Sequence, residues 1–154
     1  MKTGIFFIIA VLFLFVISGK SLAQDDTSIQ DILEKANKKV VLLEDQSKEI
    51  VNLTIELLVG TKNGKTIYRK LDPSFSYTLS AITDKRIAEM TITVYKKTDK
   101  DWDFVTETSE KNPTVSIIPT EYVTYEITFK AVEFSKGFGG GHFASFLYHI
   151  KPEN

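Results

Sequence analysis

An antiparallel β-sandwich of about eight strands, jelly-roll or Ig-like in connectivity and preceded by one amphipathic helix, is the fold this sequence predicts. Three observations carry the prediction. Apolar residues recur at every second position through most of residues 49–150, the period of a strand with one buried face. Clusters of Gly, Pro, Asn and Asp interrupt that alternation at short intervals, as turns do. Only one window, near the start, changes to the three-four spacing of a helix.

Size and composition agree. The 154 residues suffice for one domain and are too few for two ordinary ones. With 25% charged and 43% hydrophobic residues the chain has the balance of a globular protein, not of a disordered one. Eleven Phe and six Tyr suit strands that must fill a core. The formal net charge is −1, so no basic surplus exists to neutralise phosphates, and neither nucleic acid nor an anionic membrane surface is an expected partner. There is no cysteine, which removes thiol nucleophiles, cysteine-ligated zinc, disulfides and lipid attachment through cysteine.

Residues 1–23 have the three parts of a secretory signal peptide. Lys2 supplies the positive start, residues 5–17 form an apolar run, and Ser21 and Ala23 place small residues where a signal peptidase reads them. The run is shorter than the roughly 20 residues that span a bilayer. Cleavage is expected between Ala23 and Gln24, giving a secreted or periplasmic protein with no membrane span. The domains are then a leader (1–23), an N-terminal helix (24–48) and a sandwich (49–154).

In the helix, Thr27 and Gln30 have the spacing of a capping box, and Asp25, Asp26 and Asp31 lie near the positive end of its dipole. Ile29, Ile32, Leu33, Ala36, Val40 and Leu43 mark one buried face, packed at a sheet edge or sealing the end of the sandwich. Val51, Leu53, Ile55 and Leu57 alternate along the first strand, and Asn63-Gly64 suits a hairpin turn. Phe75, Tyr77, Leu79 and Ala81, then Met90, Ile92 and Val94, mark two core strands around a short charged loop. A polar turn near Lys100 leads to a strand with Trp102, Phe104 and Thr106 on one face. A short strand ends at Pro119, where a missing N–H does least harm. Residues 122–134 form the longest strand, and residues 142–150, apolar on both faces, form a covered last one.

Chemistry-bearing residues are sparse. Asp99, Asp101, Asp103 and Glu110 fall at calcium-loop spacing, but Phe104 stands where such a loop needs glycine, and a solvated hairpin turn is the reading. His142 and His149 are seven apart in one strand, so they point to opposite faces and cannot share a metal. Glycines in residues 137–141 lack the strand-to-helix context of a phosphate loop, and no serine sits in a nucleophile elbow. Asp84 and Glu89 are the best-placed acidic pair. They form a candidate calcium site at the rim of the sandwich, with Lys85 and Arg86 as the competing neutralisers.

Leu71, Phe75, Tyr77, Leu79 and Ala81, followed by Asp84 and then Glu89-Met90, Ile92 and Val94-Tyr95, resemble the pattern of bacterial pre-peptidase C-terminal (PPC-like) domains. Pro113 and the strand with Tyr125 and Ile127 match the later part of that pattern in outline, so the resemblance spans about residues 65–130. Glu89-Met90 stands in place of Asp-Leu, Thr91 in place of the next acid, and Val123 in place of a turn glycine. The resemblance implies a non-catalytic jelly-roll sandwich of the kind attached to secreted enzymes. The resulting expectation is an exported, non-catalytic module that binds a glycan, protein or envelope partner. The alternatives are a small secreted carboxylate-dependent hydrolase, and a secreted inhibitor or partner subunit that presents residues 137–141 or the helix.

Overall fold

A computed structural model describes residues 29–151. The expected leader, its cleavage point and the Thr27 cap lie outside the described residues. One helix, α1 (Gln30–Asp45), precedes eight strands: β1 (Lys48–Val59), β2 (Gly64–Leu71), β3 (Tyr77–Thr83), β4 (Ile87–Lys97), β5 (Trp102–Glu110), β6 (Thr114–Ile117), β7 (Val123–Phe134) and β8 (Gly140–Ile150). They form two four-stranded antiparallel sheets, ordered β1-β8-β3-β6 and β2-β7-β4-β5. Every connection crosses from one sheet to the other except the β4–β5 hairpin. That interleaving is jelly-roll connectivity, and it settles the choice against an Ig-like one.

The core follows from the period of two. Leu79 and Ala81 on β3, Met90, Ile92 and Val94 on β4, Ile127 and Phe129 on β7, and Phe143 and Leu147 on β8 all lose contact with water between the sheets. Phe129 and Phe143 meet across the layers with ring centroids 5.0 Å apart. Burying such a side chain contributes about 1.5–3 kcal/mol.

Strand β8 is covered on both faces, as its sequence predicts. Its alternate residues Ala144 and Phe146 pack under Ile32, Ala36 and Leu43 of α1, while Tyr148 adds a partly buried flank. The helix therefore lies across the outer face of the first sheet, neither at its edge nor over its end. A buried apolar face on the central strand dictates that position. Ile29 and Leu33 remain 46% and 47% exposed, because the covered stripe is narrower than the full set of apolar positions.

Three further points depart from or refine the sequence reading, two at the crossovers and one at a register shift. Asn63-Gly64 does not close a hairpin, since β1 and β2 lie in different sheets; the turn is made with Gly60 at φ 69°. The two strands around Asp84 also belong to opposite sheets, and Glu89 lies inside β4 and not in the loop. Trp102 and Phe104 do not share a face with Thr106. A register shift beside Val94 and Tyr95 leaves Phe104 opposite Tyr95 and Thr106 opposite the buried Val94.

Candidate ligand-binding face

The loop after β3 shows what Asp84 does. Its carboxylate is only 3% exposed and accepts from the Arg86 N–H (2.9 Å), Arg86 Nε (2.8 Å), Arg86 Nη2 and the His142 N–H (2.8 Å). The Asp84 N–H returns a bond to the His142 carbonyl at 3.0 Å. Arg86 Nη2 also donates to His142 Nδ1 at 2.6 Å, which places the imidazole proton on Nε2 because guanidinium cannot accept. On the other side, the Ser135 N–H and hydroxyl donate to the carbonyls of Arg86 and Lys85. Burial raises the cost of the Asp84 charge, but the Arg86 hydrogen bonds and the two backbone N–H groups outweigh it and hold the carboxyl below its ordinary value.

Glu89 has a different partner, the Ser109 hydroxyl at 2.7 Å on exposed β5. A cation at Asp84 would have to displace the Arg86 guanidinium. Among the described residues, no group of three or more His, Asp or Glu side chains is gathered as a metal site. Around Asp99 and Asp101 the chain makes a hydrogen-bonded turn, in which Thr98 N–H and Oγ1 both donate to the Asp101 carbonyl at 2.9 Å. His149 sits in the core, stacked on Phe75 at 4.2 Å and edge-on to Tyr77 at 5.5 Å. His142 lies instead beside Arg86, so the two histidines are separated as their odd spacing requires.

The outer face of the second sheet presents a different arrangement. Registers across β2, β7, β4 and β5 align Tyr68, Glu126, Tyr95 and Phe104 in one row. The next row is Thr66, Thr128, Thr93 and Glu107, and Lys130, Thr91 and Ser109 follow. All of these point away from the core because they alternate with buried neighbours such as Ile92, Ile127 and Phe129.

The aromatics meet in pairs. Tyr68 and Trp102 have centroids 5.7 Å apart, and Tyr95 and Phe104 are 5.8 Å apart in a T-shaped contact. Lys97 Nζ lies 5.1 Å from the Trp102 ring centroid. Phe104 is 61% exposed and Tyr68 53%, so this is a clustered apolar surface held open to water. Beside it runs a band of hydroxyls: Thr66 with Thr128 at 2.9 Å, Thr93 donating to Glu107 at 2.8 Å, and Thr91 with Ser109 at 3.1 Å. The Tyr68 hydroxyl is bonded to Glu126, which raises its pKa above that of an ordinary tyrosine.

Sequence reasoning passed over this face. Its signal was present in Tyr68 and Tyr95, aromatics at the solvent phase of alternating strands. Trp102 and Phe104 do share one face, but Thr106 does not join them, because the register shift cannot be read from spacing.

No protein-family model matches the chain, and no curated protein matches it either. Among solved structures, the Yersinia pseudotuberculosis-derived mitogen is similar over 67% of this chain and 89% of its own, at 10% identity and a TM-score of 0.40. A CBM4 structure is similar over 66% of this chain and 77% of its own, at 10% identity and a TM-score of 0.38. The disulfide-linked pilus of Bacillus endospore appendages is similar over 68% of this chain and 91% of its own, at 15% identity and a TM-score of 0.35. These distant likenesses carry no functional argument.

Proposed function

We propose that this protein is an exported, non-catalytic binding module that holds an uncharged glycan on the outer face of its second sheet. The observation that carries the reading is the outward-facing row of exposed Tyr68, half-buried Tyr95 and exposed Phe104, with Trp102 against Tyr68, beside a band of threonine and serine hydroxyls. A sugar presents apolar C–H faces and a rim of hydroxyls that both donate and accept. Aromatic rings serve the first, while Glu107, Glu126 and the hydroxyl band serve the second. Charges of both signs occur on this face, Glu107 and Glu126 against Lys70, Lys97 and Lys130, which favours an uncharged ligand over an ion.

The space between the sheets is filled by side chains, and the most buried carboxylate among the described residues is neutralised by Arg86. Both observations support a binding role over hydrolysis. The PPC-like resemblance is part of the same proposal, since it too implies a non-catalytic jelly roll. Export rests on the leader pattern, and among the described residues no helix is long and apolar enough to cross a membrane.

Trp102 is the single tryptophan, so intrinsic fluorescence reports on the face directly. Titration with a panel of neutral oligosaccharides is expected to give a saturable change in emission with at least one of them, lost in Tyr68→Ala and in Phe104→Ala. Binding that survives both substitutions would place the glycan elsewhere and sink the assignment. The calcium expectation on Asp84 and Glu89 stands as a separate proposal. It requires added Ca²⁺ to raise the Tm of the wild type and not of Asp84→Ala, and an equal response in both removes it.

A further inference from the structure

On the opposite side of the molecule, α1 and the β3–β6 side of the first sheet flank an open cleft of about 550 Å³. That volume lies within the ~300–1,000 Å³ typical of small-molecule sites. Four lysines line it: Lys35, Lys38 and Lys39 from successive turns of α1, and Lys111 from the loop before β6. Leu42 and Ile82 supply apolar surface, to which the lysine methylene stems add. No carboxylate is among its lining residues.

The contrast with the rest of the surface decides how this is read. The chain has 19 basic and 20 acidic residues, so no overall excess of either sign predicts a cleft lined by one. Three other clefts are lined by both signs: one pairs Lys48 and Lys151 with Glu44 and Glu49, another Lys70 and Lys97 with Asp99 and Glu121, and a third Lys65 with Glu56. Only the cleft under α1, among these four, is lined by a single sign.

Its polar groups are also almost all donors. Lys35 is engaged by Asp31 at 2.9 Å and by the Thr83 carbonyl at 3.2 Å, and Lys38 by Glu34 at 2.7 Å, both acids lying outside the lining. Among the described residues, Lys39 has the Tyr148 ring 6.0 Å from Nζ to the centroid and no ion pair, and Lys111 has no carboxylate within ion-pair distance. Asn112 uses its Oδ1 to accept from the Thr83 N–H at 2.9 Å, which leaves the donor half of its amide to offer. A site made of ammonium and amide donors over an apolar floor is complementary to an acceptor-only head joined to an apolar body.

We propose that this cleft is a second binding site, specific for a small amphiphilic oxyanion, a phosphate or carboxylate carrying a short hydrocarbon chain. Lys39 and Lys111 hold the head, and Leu42 and Ile82 hold the chain. The site is independent of the glycan face, which lies on the outer side of the other sheet.

The test is titration of the protein with octyl phosphate below its micellar concentration, followed by amide chemical shifts. Saturable shifts are expected at Ile82, Thr83, Asn112 and along α1, while octanol and inorganic phosphate alone give none. The double variant Lys39→Ala, Lys111→Ala is expected to weaken binding about ten-fold, and Lys39→Arg, Lys111→Arg to restore most of it. Octanol binding as tightly as octyl phosphate would reduce the cleft to an apolar groove, and inorganic phosphate binding equally would reduce it to an ion site; either result overturns the proposal. So does an unchanged affinity in the double alanine variant, whose amide spectrum shows directly that replacing the half-buried Lys39 and the exposed Lys111 leaves the fold intact. Neutral oligosaccharide binding at Trp102 should be unaffected throughout, which separates failure here from failure of the glycan reading.

Discussion

Asp84 accepts four hydrogen bonds, three from Arg86 and one from the His142 backbone, and so ties the β3–β4 crossover to the start of β8. Asp84→Ala leaves a buried guanidinium unpaired and is expected to cost about 3 kcal/mol, read as a drop in denaturant midpoint. Because the folded carboxyl titrates below its ordinary value of 3.8, its contribution is complete above that pH. It is lost as pH falls through the lower folded value. Wild-type stability should therefore fall more steeply than that of Asp84→Asn when both are acidified below about pH 4. Gly141 belongs to the same arrangement. A Cβ there would meet Ile87 Cγ1 at 2.7 Å and Asp84 Oδ1 at 2.9 Å. Gly141→Ala is expected to destabilise by about 1–3 kcal/mol, whereas alanine at Gly139, with open space around it, should be nearly silent in the same melting experiment. Asp84 was visible in the sequence beside Glu89, and Arg86 as one of its candidate neutralisers, but His142 was not. Arg86 lies two residues away and His142 lies 58, and only the second contact turns a local pair into a staple.

At the scale of elements, α1 and β8 depend on each other. Phe146 and Ala144 face outward from the first sheet and are kept dry by Ile32, Ala36 and Leu43, flanked by partly buried residues such as Val40, Ile55 and Ile82. Ile32→Ala is expected to lower stability by about 2–5 kcal/mol, and Leu33→Ala, two-fifths or more exposed before mutation, by much less. Equal effects in thermal unfolding would mean that the helix is not seated through Ile32. The existence of α1 and of its apolar face was legible, as were all eight strands to within a few residues. Which of its apolar residues are buried was not, because a helix lying on a sheet buries a stripe set by the curvature of its partner. The doubly apolar sequence of β8 did announce a central strand, since only cover on both sides stabilises such a pattern.

For the whole molecule, the jelly-roll order places unlike surfaces on opposite sides. One outer face carries the helix and its lysine-lined cleft, and the other carries the aromatic and hydroxyl rows. A filled core between them makes each surface a rigid platform, so ligand binding at Trp102 should proceed without a change in far-ultraviolet circular dichroism. Export belongs to this scale too. N-terminal sequencing of the protein recovered from the culture medium or periplasm is expected to begin at Gln24, and recovery with Met1 intact would overturn the leader assignment.

Local chemistry alone determined the class of this protein: alternation wrote the strands, three-four spacing wrote the helix, and the absence of cysteine left the core to hold them. Those signals are local, arising from which side of a short segment must avoid water. Sheet membership, strand order and the phase of β5 were decided only in three dimensions, because they depend on pairing between segments far apart in sequence and on a register shift with no compositional mark. The candidate face fell on that second side. Tyr68, Tyr95, Trp102 and Phe104 come from three strands, and only the β2-β7-β4-β5 order brings their rings together.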